Sequence, residues 1–172
     1  MKRSDIKTLP AHYDTYIKKV EDIELTEALE KYGKPVLLAE KAKLIALVDK
    51  VYALGKWTIK DIIQHIIDCE RVFSYRAMRY ARNDKTMLPS FDETEYGATA
   101  LASRRNLDDL LEEFYVLRES TIRLYKSFTD EMLLREGQIW SGNISVLSYG
   151  FATVGHFNHH IAILKERYYP LL

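Results

Sequence analysis

The chain has 172 residues, of which 47% are hydrophobic and 29% charged, as is usual for a soluble globular protein. Lys+Arg and Asp+Glu both number 25, so no global field attracts nucleic acid or an anionic membrane. No stretch approaches the roughly 18 uninterrupted apolar residues that a membrane span needs. A single cysteine and a charged N-terminus without a secretory signal predict a soluble, cytoplasmic protein with one domain over residues 1–172.

The first part of the chain predicts an N-terminal arm followed by a broken helix. Residues 1–21 contain a proline and several tyrosines, and we expect this arm to pack over the main body. A helical pattern begins at Asp22 and stops at residues 33–35, where the sequence is Gly-Lys-Pro, because proline lacks a backbone donor and clashes with the preceding turn. The pattern resumes over residues 36–48.

The second helix has the clearest start. Thr58 followed by Asp61 forms a capping-box signature. Apolar residues at spacings of three and four then predict a helix to about Arg82; they are Ile59, Ile62, Ile63, Ile66, Ile67, Val72 and Phe73. Residues 83–103 read as one long connection, and connections of this length in a compact domain are often functional.

Two more helices complete the prediction. Asn106 with Asp109 is expected to cap the third, Thr129 starts a short extra turn, and the last runs from about Ser145 to Pro170 after a turn at 141–143. Four principal helices joined by one long crossover predict an all-α fold, most economically a four-helix bundle.

The last helix carries a pair of histidines at chelating spacing. Three of the five histidines lie in the segment His-Phe-Asn-His-His, and His156 and His160, four residues apart, project from one helix face. The neighbours on that face are small or apolar, and buried imidazoles need partners. A metal ion would satisfy both at once; core histidines bonded to backbone or water remain the alternative at this point.

A third histidine strengthens the metal interpretation. His65 lies on the apolar side of its own helix, and facing helices of a bundle direct ligands to the interior. Catalytic zinc sites have three protein ligands and leave one coordination position open for water or substrate, and three imidazoles would supply such a ligand set. His159 competes with His160 for this role but lies on another face, which favours a supporting position. His12 is expected at the surface of the arm.

The residues around the histidines limit the kinds of metal site that the sequence can form. Zinc proteases carry a glutamate directly after the first histidine of the pair, and Phe157 occupies that position here, which excludes this class. Asp68 is one turn beyond His65, where it either orients an imidazole or forms a surface salt bridge. Cys69 is either a soft ligand or a small core residue.

A set of short motifs follows in a fixed order along the chain: Gly55-Lys56-Trp57-Thr58, His65 to Arg71, Tyr75-Arg76, Leu88 to Asp92, Glu112 to Phe114 with Arg118, Gly155-His156 and His159-His160. In these motifs, over about Pro10 to Tyr168, the chain resembles the DinB-like superfamily of four-helix metalloproteins. That superfamily includes metal-dependent hydrolases and bacillithiol-type thiol S-transferases. The resemblance implies that His65, His156 and His160 bind the metal and that the protein forms a homodimer. Many relatives carry an acid where this chain has Phe157.

The resemblance and the histidines together predict a metal-dependent enzyme, a hydrolase or a thiol S-transferase, acting on a small molecule with a low-molecular-weight thiol as one candidate substrate. Three imidazoles suit zinc, nickel, iron and copper alike. No side chain is assigned as catalytic from the sequence. A stress-associated helical dimer with a structural or vestigial metal is the alternative, and a plain helical interaction module is the third.

Overall fold

The computed structural model describes residues 1–172, and its elements are mainly helices. They follow in the order α1 (Asp14–Ile17), α2 (Leu25–Lys31), α3 (Lys34–Ala46), α4 (Ile59–Ala81), α5 (Glu93–Thr99), α6 (Leu107–Lys126), α7 (Asp130–Leu134), β1 (Glu136–Ile139), β2 (Gly142–Ser145) and α8 (Val146–Ile163). Short 3-10 turns lie at Arg3–Asp5, Ala102–Arg104 and Tyr169–Leu171, and a π-helical turn at Leu164–Tyr168.

The long helices form the predicted four-helix bundle. The first bundle helix consists of α2 and α3; the others are α4, α6 and α8. α4 packs on both α6 and α8, and α2 contacts α6 and α8. A long crossover joins α4 to α6. The all-α prediction is therefore confirmed, and none of the helices is long and apolar enough to cross a lipid bilayer.

The predicted break in the first bundle helix is also present, and a buried arginine stabilises it. α2 ends at Lys31 and α3 begins at Lys34. The end of a helix leaves backbone carbonyl groups without intrahelical partners. Arg118 of α6 donates from Nη1 to the carbonyl oxygens of Leu29 (3.2 Å) and Tyr32. Arg118 is itself buried and paired with Glu70 of α4.

Of the two predicted helix caps, the one at Thr58 forms as expected and the one at Asn106 uses a different partner. Thr58 and Asp61 complete a reciprocal capping box, and the hydroxyl of Thr129 accepts from the amide of Met132. The side chain of Asn106 accepts from the amide of Asp108 (3.0 Å) rather than from that of Asp109. The start of α6 was correctly predicted, but the capping bond is made to the second helical residue.

Three predicted boundaries differ in the structure. The segment before α8 contains an antiparallel hairpin of β1 and β2, with Glu136 opposite Ser145, where a turn alone was expected. The connection 83–103 contains α5, which has no buried residue and therefore shows no apolar stripe. Regular α-helical geometry in the last helix ends at Ile163, and a π-helical turn continues to Tyr168.

The histidines of α4 and α8 lie where two hydrophobic cores meet. One core contains Cys69 and Phe73 of α4 with the residues of α8 up to Val154. The other contains α4 up to Ile67 and α8 from Phe157 onward. His65, His156 and His160 fall at this junction along both helices. The site is therefore enclosed by packed side chains on two sides.

The N-terminal segment packs directly onto α8 beside the histidines. Its residues Tyr13, Ile17 and Val20 are buried in the first core. A Cβ atom built on Gly155 would lie only 2.0 Å from the carbonyl oxygen of Tyr16. Glycine at position 155 therefore permits the backbone of the arm to approach the helix that carries His156.

Replacing Gly155 with alanine is expected to lower the free energy of unfolding by about 1 to 3 kcal/mol, since the added methyl group overpacks the contact. The clash is with backbone, which cannot move aside as a flexible side chain would. Urea denaturation of both proteins measures the change. As a control, Ala162→Ser adds one atom at an exposed position of the same helix. Equal stability of Gly155→Ala and wild type would contradict the close approach.

Candidate metal centre

The structure brings the three predicted histidines together. Nε2 of His156 lies 3.0 Å from Nε2 of His65 and 3.1 Å from Nε2 of His160. The ring centroids of His65 and His160 are 4.8 Å apart. All three side chains are buried. His65 comes from α4 and the pair from α8, so the cluster connects the two central helices of the bundle.

Hydrogen bonding alone does not satisfy this cluster. A ring nitrogen of a neutral imidazole carries either one hydrogen or one lone pair. Nε2 of His156 therefore makes one good hydrogen bond with only one of its two neighbours, and the other neighbour is left with no bond to His156. A buried polar atom without a partner costs free energy.

A metal ion fits the same geometry. An ion at ~2.1 Å from each nitrogen, with ligand angles between octahedral and tetrahedral, spaces neighbouring nitrogens about 3.0 to 3.4 Å apart. The two observed Nε2 separations, 3.0 and 3.1 Å, fall within that range. An ion also accepts the lone pairs of all three rings at once, which the hydrogen-bonded arrangement does not.

The protonation state of the histidines suits metal binding. Burial, followed by the charge of His159, lowers the pKa of His65 to about 4. Burial and the neighbouring imidazoles lower the pKa of His160 to about 3 and hold that of His156 well below its usual value. The rings are therefore neutral near pH 7, which is the form that donates a lone pair to a metal.

The metal-free protein is expected to lose stability between pH 7 and pH 5. Unfolded histidines take up protons near pH 6.5, whereas the buried ones stay neutral to about pH 4. The unfolded state thus binds more protons in this window, so stability falls as pH falls, by about 1 to 2 kcal/mol per buried histidine. Urea denaturation at both pH values measures this, and His65→Gln should reduce the slope. If the metal-free protein were equally stable at pH 7 and at pH 5, this would contradict the buried, neutral state of the histidines.

Aromatic rings pack around the cluster. The indole of Trp57 lies 4.8 Å from the ring of His65, between centroids. Tyr16 of the arm and Phe73 of α4 contact the ring of His156 edge-on, at 5.3 and 5.9 Å. These apolar walls limit the access of water to the ring nitrogens, and they strengthen electrostatic interactions inside the site.

Cys69 and Asp68, the two neighbours left open by the sequence, have different surroundings. Sγ of Cys69 lies 3.7 Å from both ring nitrogens of His65, and ligand atoms of His65, Cys69 and His156 all lie within 4.8 Å of one another. Burial raises the pKa of this thiol. Asp68 accepts from Nε2 of Gln64 (3.0 Å) and lies 3.8 Å from Arg71. Asp68 therefore belongs to a polar network beside the site.

The two remaining histidines lie outside the cluster. His159 is half-buried, and its ring packs against Tyr16 and against His160, at 5.4 and 5.1 Å between centroids. His12 is exposed in the arm and contacts the ring of Trp140. His159 is thus a neighbour of His160 that lies outside the cluster.

Phe157 points away from the histidine nitrogens. Its ring stacks on Phe114 at 5.4 Å, and the guanidinium of Arg118 lies over both rings. An acidic side chain at this position would compete with Glu70 for Arg118, because Glu70 already accepts two bonds from it. Phe157 therefore belongs to the buried packing that surrounds the ion pair of α4 and α6.

A cleft of about 310 Å³ opens beside His160. It is lined by Tyr52, Gly55, Lys56, Trp57, Ile62, Thr94, His160, Ile163, Arg167 and Tyr168. The sequence did not single out most of these residues as parts of a site, because they come from the irregular segment before α4, from α5 and from the π-helical turn. The motif at residues 55–58 was the only sequence feature that indicated a role for Trp57.

The crossover also carries an exposed carboxylate that is adjacent in sequence to the cleft wall. Glu93 is the first residue of α5, next to Thr94 in the cleft wall. Burial, and then the negative charge of Glu93, raise the pKa of Tyr16 and that of Cys69. Glu93 itself is exposed at the start of α5, and the sequence did not indicate a role for it.

Comparison with known proteins agrees with this fold. Residues 24–164 match the DinB superfamily, and the chain belongs to that superfamily. The structure of YfiT from Bacillus subtilis is similar, with a TM-score of 0.72 and 18% identity over 96% of this chain and 91% of that one. YfiT is described as a probable metal-dependent hydrolase with an unusual four-helix bundle topology. No curated protein matches this chain significantly in sequence.

Proposed function

We propose that this chain is a metal-dependent enzyme in which His65, His156 and His160 hold one divalent ion. The observation that carries the proposal is the convergence of three buried, neutral imidazoles, with Nε2 of His156 at 3.0 and 3.1 Å from the other two. Zinc, nickel and iron are the candidate ions, because imidazole ligands suit each of them. YfiT, which shares the fold, is described as a probable metal-dependent hydrolase.

The residues of the chain prepare the site for a small electrophilic substrate. The three neutral rings offer lone pairs, and the cleft gives access from the side of His160. When bound, the ion supplies a Lewis acid that lowers the pKa of a water or thiol ligand. The rings of Trp57, Tyr16 and Phe73 limit water around the nitrogens.

Hydrolysis and thiol transfer place different demands on the protein. Hydrolysis by an activated water usually uses a general base, and the candidate is Glu93, which is next to Thr94 of the cleft wall. Thiol transfer needs no such base, because a metal can stabilise the thiolate itself. We therefore expect Glu93→Gln to abolish hydrolysis and to leave thiol transfer intact.

The activity test compares metal-depleted and reloaded protein. Each is incubated with activated esters, and separately with an electrophile and a low-molecular-weight thiol, and the products are separated by chromatography. Turnover should disappear with the metal and return on reloading. The double variant His156→Ala, His160→Ala should be inactive, and His159→Ala should retain activity. Full activity in the double variant would refute the proposal.

The contact of Cys69 with His65 favours one alternative, a structural metal in a closed four-ligand site. With Sγ 3.7 Å from the ring nitrogens of His65, a fourth ligand would remove the open position that catalysis requires. In that case the metal would stabilise a helical dimer, and chelation would sharply lower its melting temperature.

Cobalt substitution separates these two sites. We expect Co²⁺-loaded protein to show no thiolate-to-metal absorption band in the near ultraviolet, because three imidazoles alone hold the ion and Cys69 stays a thiol. The Cys69→Ala variant should give the same spectrum as wild type. A strong band that disappears in Cys69→Ala would instead establish the closed site.

The proposal also covers the oligomeric state of the protein, its location in the cell and the size of its substrate. We propose a homodimer, to be measured by light scattering after size-exclusion chromatography. We also propose a cytoplasmic location, which rests on the single, reduced cysteine. The substrate is a small molecule, since the cleft of about 310 Å³ is at the lower end of ligand-pocket sizes.

A further inference from the structure

We propose that the cleft beside His160 binds substrates with a negatively charged end, held by Lys56 and Arg167, while an apolar part packs on Trp57 and Ile163. This specifies the class of substrate that the site binds. Its relevance to catalysis rests on the proposed function. The preference for a negatively charged ligand is a property of the cleft itself, and it can be measured in the absence of a metal.

The charged side chains of the cleft wall are both cations. Lys56 and Arg167 both line the cleft, and no aspartate or glutamate does. The chain as a whole has a formal net charge of zero. Attraction of an anion therefore arises locally, from two cations concentrated in one concave surface with low-dielectric walls.

Neither of these two cations is neutralised by a carboxylate. Most other basic residues in the fold have carboxylate partners; examples are the pairs Lys60–Asp49, Lys165–Glu40, Arg105–Glu113 and Arg135–Glu131. Lys56 and Arg167 form no such pair within 4 Å. Glu166 is the acid whose charge acts on Arg167, and it makes no ion pair with it. Two unpaired cations facing one cleft are available to a ligand.

Arg167 is held in position by a neighbouring tyrosine. Its Nη1 donates to the hydroxyl of Tyr52 (2.9 Å), and its guanidinium lies 5.3 Å from the centre of the same ring. Tyr52 in turn contacts the ring of Tyr168 edge-on at 5.2 Å. A guanidinium fixed on one edge keeps other N–H groups free, and its planar fork suits a carboxylate or phosphate.

The cleft wall also offers an apolar surface to the rest of the ligand. Trp57 lies between the cleft and His65, with its ring 4.8 Å from that imidazole. Ile163 supplies a second apolar surface in the same wall. A ligand with a charged end on Arg167 and an apolar body on Trp57 therefore extends along the wall that contains His160.

The experiment uses the fluorescence of Trp57. The chain has two tryptophans, and Trp140→Phe leaves Trp57 as the single reporter. Trp140 is 70% exposed, so this replacement should preserve the fold. Phenylacetate, the neutral phenylacetamide and the cationic phenethylamine are titrated into chelator-treated and into metal-loaded protein. Circular dichroism verifies that each variant is folded.

In the metal-free protein we expect phenylacetate to bind at least about tenfold more tightly than phenylacetamide, because its carboxylate gains one good charge-assisted contact. Phenethylamine should bind most weakly of the three. Arg167→Gln and Lys56→Gln should each reduce that preference, and the double variant should remove it. Arg104→Gln is the matched control, because Arg104 is exposed and lines a different recess that shares no residue with this cleft.

Three outcomes would overturn the inference. They are an equal response to the three probes, a preference that survives in the double variant, and carboxylate binding that occurs only with metal and is independent of Lys56 and Arg167. The last would mean that the ion itself binds the carboxylate. A chain that binds no metal but keeps the charge preference would refute the proposed function alone. A chain that binds metal without any preference would refute only the cleft assignment.

Discussion

Replacing Arg118 with methionine is expected to lower the free energy of unfolding by about 3 to 5 kcal/mol, because the change leaves the buried carboxylate of Glu70 without its partner. Glu70 accepts bonds of 2.8 and 2.7 Å from Arg118, and the side chains are only 2% and 3% exposed. The carbonyl groups of Leu29 and Tyr32 also lose their donor. Urea denaturation measures the loss.

Two further variants test whether the buried ion pair causes this loss. The double variant Glu70→Gln, Arg118→Met removes the unpaired charge and should recover part of the stability. Arg123→Met breaks an exposed pair with Glu119 on the same helix, and it should cost less than about 1 kcal/mol. If Arg118→Met fails to fold, Arg118→Lys keeps the charge and should give an intermediate loss. Equal losses for Arg118→Met and Arg123→Met would contradict the role of the pair.

Replacing His156 with alanine is expected to weaken binding of the divalent ion by more than about 100-fold, because even loss of an outer-shell partner costs about 10- to 100-fold. His156 is the central ring, since its Nε2 is near those of both His65 and His160. Competition with a chromophoric chelator measures the affinity.

Matched variants separate loss of a ligand from loss of packing. His156→Gln keeps most of the side-chain volume and should bind the ion as weakly as His156→Ala. His159→Ala removes an imidazole that packs on Tyr16 outside the cluster, and its affinity should stay close to that of wild type. Wild-type affinity in His156→Gln would show that the ion, if one binds, uses other ligands.

The helices of the bundle could be predicted because each carries a local signal. Thr58 and Asp61 mark the start of α4, and the Gly-Lys-Pro segment marks the break between α2 and α3. The hairpin of β1 and β2 gave no comparable signal, because its strands are four residues long with only Gly137, Ile139 and Ile144 buried. α5 was missed for a similar reason, since its burial is too slight to produce a pattern.

The candidate site was only partly predictable. Helical spacing placed His156 and His160 on one face, but the depth of His65 relative to them depends on how α4 packs against α8. Lys56 and Arg167 belong to irregular or π-helical segments, where side-chain direction does not follow from sequence period. The ion pair of Glu70 and Arg118 joins residues 48 positions apart, and only the tertiary fold shows it.

Metal analysis combined with anomalous diffraction from crystals of the purified protein tests the three-histidine site most directly. We expect about one divalent ion per chain, with its anomalous peak at the point where Nε2 of His65, His156 and His160 converge. Data collected at the zinc, nickel and iron absorption edges would identify the ion. A protein that takes up no ion after incubation with these metals, or a peak bound by other residues, would contradict the proposed site.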